Sequence, residues 1–187
     1  MPFADEVRPV EVVPYRLGWA SEFDGIARQL SAALGPSILA IDHVGSTSVP
    51  GLPAKEVIDI QVRVASLDPA PLIERFEQIG FRRRPEPWNN VEMSFGTRCE
   101  KLVFAPPIGE RASNVHVRVD GQPNARFALL FRDFLRANED ARGAWAEFKT
   151  RLAAEVPDLV RYGQIKEPAT DVLLQAASGW AAATGWG

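Results

Sequence analysis

Ile-Asp-His-Val-Gly-Ser-Thr-Ser-Val-Pro-Gly-Leu-Pro-Ala-Lys-Glu-Val-Ile-Asp-Ile-Gln-Val-Arg-Val, residues 41–64, is the stretch that decides how this chain is read. It divides into an apolar strand, a Gly-Ser-Thr-Ser turn, a Pro/Gly loop and a second strand holding one carboxylate. Gly45 allows a sharp turn and a close approach of backbone to a ligand. Ser46, Thr47 and Ser48 supply hydroxyl and N–H groups suited to phosphate oxygens. Over residues 57–64 the period of two puts Ile58, Ile60, Val62 and Val64 on one face. Val57, Asp59, Gln61 and Arg63 share the other. A carboxylate on a core strand just past a Gly-Ser turn points to a metal–nucleotide site, so Asp59 is the first candidate catalytic and metal-binding residue. The rival reading of Asp59 is an ion pair with Arg63 or with a basic residue on a neighbouring strand. A P-loop is excluded, because Gly45 and Gly51 are too far apart and Lys55 does not follow a glycine.

Outward from this stretch, Trp19, Phe23, Ile26, Ala27, Leu30 and Leu34 recur at helical spacing and predict a helix over 18–34, ended by Gly35-Pro36. Strands are expected over 38–44 and 56–64, and a short helix over 69–78 closed by Gly80. Residues 81–84, 91–95, 99–105 and 114–119 read as short strands of a mixed sheet. From Pro123 the pattern turns helical. Phe127, Leu130, Phe131, Phe134 and Leu135 make one stripe, and Ala141, Trp145, Phe148, Leu152 and Val156 another. Pro157 suits the first turn of a further helix. Pro168 is expected to end or kink that helix near Glu167, with the pattern restarting at Val172, Leu173 and Ala176. Residues 180–187 read as a loose tail. The chain is therefore one α/β (α+β) domain over 1–187, with a mixed-sheet core to 122 and a helical cap from 123.

Bulk properties narrow the partners. The 187 residues carry a formal charge of −3, which is no general nucleic-acid footprint. The single Cys99 excludes an internal disulfide framework and fits a reducing, cytoplasmic compartment. No apolar run approaches a membrane span, and Asp5 and Glu6 sit where a signal peptide would be apolar. The Arg82-Arg83-Arg84 cluster reads first as a solvated strand end. His43 and His116 are the only histidines. His116 alternates with Asn114 and Arg118 on a polar strand face. It is a second catalytic candidate, as a general base, a metal ligand or a partner holding Asp59.

Gly45-Ser46 followed by Asp59 resembles the nucleotidyltransferase superfamily, in which a Gly-Ser turn precedes Asp-x-Asp or Asp-x-Glu on the next strand. Here the second same-face position is Gln61, a poor Mg²⁺ ligand. The run from His43 to Lys55 with Asp59 resembles the GrpB family more closely. So do Val12-Val13-Pro14-Tyr15 with Trp19 and Phe23, Val115-His116-Val117, residues 131–136, Lys149, and Tyr162 with Lys166. Asn114 stands where that family often has another His.

The resemblance implies a nucleotidyltransferase-like fold and a nucleotide site. In it Gly45, Ser46, Thr47, Ser48, Lys55, Arg132, Lys149 and Lys166 bind phosphate, and Tyr162 stacks on a base. The function it implies is transfer of a nucleoside monophosphate from a nucleoside triphosphate to an acceptor, with Mg²⁺ on Asp59, Asp42 or Glu92 helping if two metals bind. The alternative is a catalytically silent nucleotide-binding or protein-interaction module, since GrpB-like segments also occur joined to dephospho-CoA kinase. The expected partner is a small-molecule nucleotide, with a protein partner under the module reading.

Overall fold

A computed structural model describes residues 3–187. Met1 and Pro2, counted in the expected domain, lie outside the described residues. The elements run α1 (Gly18–Leu34), β1 (Ala40–Val44), β2 (Ile58–Val64), α2 (Pro69–Gln78), β3 (Arg82–Arg83), β4 (Val91–Ser94), β5 (Thr97–Ala105), β6 (Ser113–Val119), α3 (Pro123–Ala137), α4 (Glu139–Glu155) and α5 (Leu159–Thr184). The architecture is the expected mixed α/β one. The six strands form one sheet in the order β1-β2-β6-β5-β3, with β4 paired to β5. β2 and β6 run parallel and the remaining pairs are antiparallel.

The period of two in β2 divides the molecule. Ile58, Ile60, Val62 and Val64 are buried in one core with Val115 and Val117 of β6, Trp19, Leu30 and Leu34 of α1, and Leu72 and Phe76 of α2. A second core lies among α3, α4 and α5, built from Leu130, Phe134, Leu135, Trp145, Ala177 and Ala181. Val49 and Leu52, from the loop after the Gly-Ser turn, belong to that second core and tie the turn to the helices. α3 lies on the polar face of the sheet, where the Gln61 amide donates to the Ala125 carbonyl at 3.2 Å.

Four expectations about the helices and strands need correction. α5 runs unbroken through Pro168. The proline cannot donate to the carbonyl four residues back, but residues on either side of it, Tyr162 and then Ala177 and Ala181, are buried, and the helix continues past it. Pro157 lies outside α5, whose cap is Asp158, the carboxylate accepting from the Arg161 N–H at 2.8 Å. Residues 180–187 are not loose. Ala181 is buried, Gly185 turns left-handed at φ 70°, and the Trp186 indole donates to Asp133 at 3.2 Å. The strands expected from 38 and 56 begin at Ala40 and Ile58, after a 3₁₀ turn over Gly35–Ser37 and after the Pro/Gly loop.

Candidate functional site

Val44, the last residue of β1, pairs with Asp59 of β2, so the chain leaves the sheet directly beside the carboxylate. Gly45 makes that exit at φ 68°, a left-handed conformation. A Cβ at this position would stand 2.5 Å from Asp59 Oδ2. Glycine is thus required twice, by the turn and by the carboxylate packed against it. Residues Ser46–Ser48 then form one 3₁₀ turn.

The three hydroxyls of the turn have separate fates. Ser48 Oγ donates to the Gly45 carbonyl at 2.6 Å, and Thr47 Oγ1 lies 3.0 Å from His43 Nε2. Both are buried and serve the turn itself. Ser46 lines the two cavities that meet here. From α3, Arg136 donates twice to the Ser48 carbonyl, at 3.0 and 2.7 Å. Arg132 binds Asp133 at 2.7 Å and reaches the His43 carbonyl at 3.3 Å. It braces β1, and neither Arg132 nor Ser48 lines either cavity.

Asp59 stands at the junction of the cavities, which share Ser46, Asp59 and Lys166. The larger, about 590 Å³, is walled by Glu92, His116, Phe95, Phe127 and Phe131. The smaller, about 190 Å³, is walled by Thr47, Lys55, Asn114, Lys149 and Tyr162. Burial raises the Asp59 carboxyl above its ordinary range, and Lys55, the 3.2 Å hydrogen bond from Asn114 Nδ2, Lys166 and Arg118 oppose that shift. Burial also lowers all three lysines, taking Lys149 to about 7 with Lys166 and Lys55 adding to the effect. Lys149 donates to the Pro53 carbonyl.

Tyr162 is only 1% exposed and has the Lys55 ammonium 5.5 Å from its ring centre. It lines the smaller cavity, with that lysine lying over its ring. His116 faces the larger cavity, with Nδ1 buried and unpartnered among the described residues. Burial, then Arg118 and Lys101, hold it well below its ordinary pKa, so the ring is neutral at pH 7. It does not hold Asp59; Asn114, its neighbour on the same face, does.

A dense polar network lies beside this junction. Glu92 accepts from Lys101 at 2.7 Å and from Arg118 at 2.8 Å. Gln61, fully buried, accepts from Arg118 at 3.0 Å and donates to Asp42 at 3.3 Å. Asp42 in turn binds Arg63 at 2.8 Å. These contacts decide the fit of magnesium. Three carboxylates line the larger cavity: Asp59 and the exposed Asp171, neither held in an ion pair among the described residues, and Glu92. Glu92 is spent on two cations, and Asp42 lies under the network and outside both cavities. No cluster of three His, Cys, Asp or Glu suited to a metal occurs among the described residues. Asp59 faces three lysines and no three such ligands among the described residues cluster around it, a set that does not fit a pair of divalent cations, which needs several anionic oxygens.

Sequence reasoning missed Asn114 as the partner of Asp59 and Phe95, Phe127 and Phe131 as cavity walls. The parallel β2–β6 register puts Asn114 opposite Asp59, and nothing local in the sequence reveals that pairing. Phe95-Gly96 does carry a turn signal: both residues have positive φ, at 46° and 76°, and they join β4 to β5 as a tight hairpin. No described helix is long and apolar enough to cross a membrane.

The profile described as GrpB protein matches residues 9–176. The solved structure of the conserved protein GrpB from Enterococcus faecalis superposes with a TM-score of 0.75 at 27% identity, covering 89% of this chain and 96% of that one. A dephospho-CoA kinase of Mycolicibacterium paratuberculosis is 37% identical over 95% of this chain, which spans only 48% of that relative's length. A UPF0157 protein of Halalkalibacterium halodurans is 32% identical, covering 90% of this chain and 83% of the relative. The matched profile runs through the Gly45 turn, Asp59, His116 and the lysines of α4 and α5, and the chain belongs to the GrpB family.

Proposed function

We propose that this chain is a nucleotide-binding module that holds a nucleoside phosphate across the Asp59 junction and does not carry out two-metal nucleotidyl transfer. The observation that carries this reading is the charge count at the junction: Lys55, Lys149 and Lys166 against the single carboxylate of Asp59. Buried ammonium groups suit phosphate oxygens and need no bridging cation. The larger cavity, with Phe95, Phe127 and Phe131 in its wall, has the size and mixed lining of a small-molecule site. In relatives named dephospho-CoA kinase a segment like this chain makes up about half of the protein, an arrangement that suits a module working beside another unit.

Nucleotidyl transfer with Mg²⁺ to an acceptor is the second reading. It is favoured by Ser46, Asp59 and a neutral His116 around one cavity. The decisive experiment is a thermal-shift and pyrophosphate-release series with the four nucleoside triphosphates, with magnesium and with EDTA. The module reading expects stabilisation of about 2.7 kcal/mol at a nucleotide concentration 100 times Kd, equal in EDTA, and no pyrophosphate release. Binding that vanishes in EDTA, or release above background with any acceptor, overturns it in favour of transfer.

A further inference from the structure

Lys55, Lys149 and Lys166 come from three separate places: the loop before β2, the middle of α4 and the first half of α5. They converge on one cavity of about 190 Å³, several times the ~30 Å³ that a water occupies in the liquid. None of the three reaches ion-pair contact with Asp59 among the described residues, although each feels its charge. Lys55 and Lys166 make no side-chain hydrogen bond there either; Lys55 lies over the Tyr162 ring, and Lys149 reaches only a carbonyl. Confining ammonium groups in one partly buried space costs free energy unless an anion balances them, which is why burial lowers all three lysines, Lys149 to about 7. Asp59 supplies one negative charge at the edge of that space. The cavity separates it from the cations it would have to meet, and Asn114 holds it in place.

We propose that Lys55, Lys149 and Lys166 form a metal-free binding site for a phosphoryl group, with Asp59 as a built-in counter-ion that partly neutralises the lysines until the ligand arrives. The lysines attract the phosphoryl oxygens, and Asp59, facing the same space, repels them. Asp59 therefore lowers affinity and keeps the empty site from being a cluster of unbalanced cations. This sign is opposite to that of a metal anchor, whose loss would weaken binding. The inference rests on the nucleotide reading only for what carries the phosphoryl group, so a probe without a base tests it separately.

The experiment is titration calorimetry of the full chain with pyrophosphate and, in parallel, with a nucleoside triphosphate, both in EDTA and then with magnesium. Wild type, Asp59→Asn and Lys166→Met are compared, each checked for folding by its unfolding transition. Pyrophosphate should bind the wild type in EDTA. Asp59→Asn should tighten it by about fivefold or more, and Lys166→Met should weaken it by about tenfold or more, as expected for adding and removing charge contacts at short range. Pyrophosphate binding that appears only with magnesium overturns the inference, as does an Asp59→Asn variant that binds less well. Nucleoside triphosphate binding without pyrophosphate binding overturns the lysine site and leaves the nucleotide reading standing. Binding of neither probe overturns both. The wild-type titration in EDTA needs no variant, so a variant that fails to fold does not protect the proposal.

Discussion

Glu92 stands between Lys101 and Arg118 at 2.7 and 2.8 Å, whereas Asp59 stands among Lys55, Lys149 and Lys166 without ion-pair contact to any of them. Both carboxylates border the same cavity. The first cluster is closed. Two cations hold the Glu92 carboxyl well below the usual range despite its burial, and Gln61 extends the bonding to Asp42 and Arg63. The second is open. Burial prevails there, Asp59 is pushed up, and the lysines are pushed down. Satisfied polar networks hold a fold together, while groups left with perturbed proton affinities around a cavity mark a place where a ligand completes the set.

The largest expected effect comes from breaking the closed cluster. Glu92→Gln leaves Lys101 and Arg118, 11% and 10% exposed, without their acid. Removing one partner of a buried pair costs about 3–5 kcal/mol, and the 22% exposure of the Glu92 side chain brings the expectation nearer 2–4 kcal/mol. Urea unfolding at pH 7.5 measures it. The wild-type contribution is present above pH ~4.5 and is lost as acid protonates Glu92, because its folded pKa lies below the unfolded one. A cost under about 1 kcal/mol would show that this network is not what stabilises the sheet face.

The next effect sharpens the open cluster. Lys149 has its pKa lowered from 10.5 to about 7. Between those values the unfolded chain binds a proton that the folded chain does not, so stability rises with pH from about 7 to 10.5 and levels off below 7, where both states hold the proton. One group supports a slope of at most about 1.4 kcal/mol per pH unit. Lys149→Met removes it, and the difference between the two proteins' urea midpoints at pH 7.5 and 9 reads it directly. Parallel profiles for wild type and variant would show that Lys149 stays charged in the fold.

These contrasts also mark how far the sequence could be read. The alternation along β2 placed Asp59 opposite the core, and the glycine before Ser46 placed the turn, because both are local patterns. The same alternation puts Gln61 on its polar face but does not show its burial, which depends on α3 folding over the sheet and offering the Ala125 carbonyl. The lysines came from family resemblance alone. On α4 and α5 they look like surface residues, and only the packing of these two helices over the turn brings them together. Pro168 misled for the same reason: local propensity opposed a helix that tertiary burial completes.

The smallest expected effect, in stability, is that of Asp59→Asn, and it tests the comparison most closely. Asn at 59 still offers an oxygen to Asn114, while the loss of charge removes the cost of burying a carboxylate and also the counter-charge of three lysines. These changes oppose one another, so the expected shift at pH 7.5 is within about 1 kcal/mol of wild type. The acid limb carries the sign. A carboxyl with a raised folded pKa favours the fold fully below its unfolded value of 3.8, and that advantage is lost as pH rises through the folded pKa. Wild type therefore gains from protonating Asp59 on acidification, and Asp59→Asn, lacking that gain, should lose stability more steeply as pH falls toward 3.8. A variant that costs about 3 kcal/mol at pH 7.5 and flattens in acid would make Asp59 a closed structural ion like Glu92, and the two clusters would then be built alike.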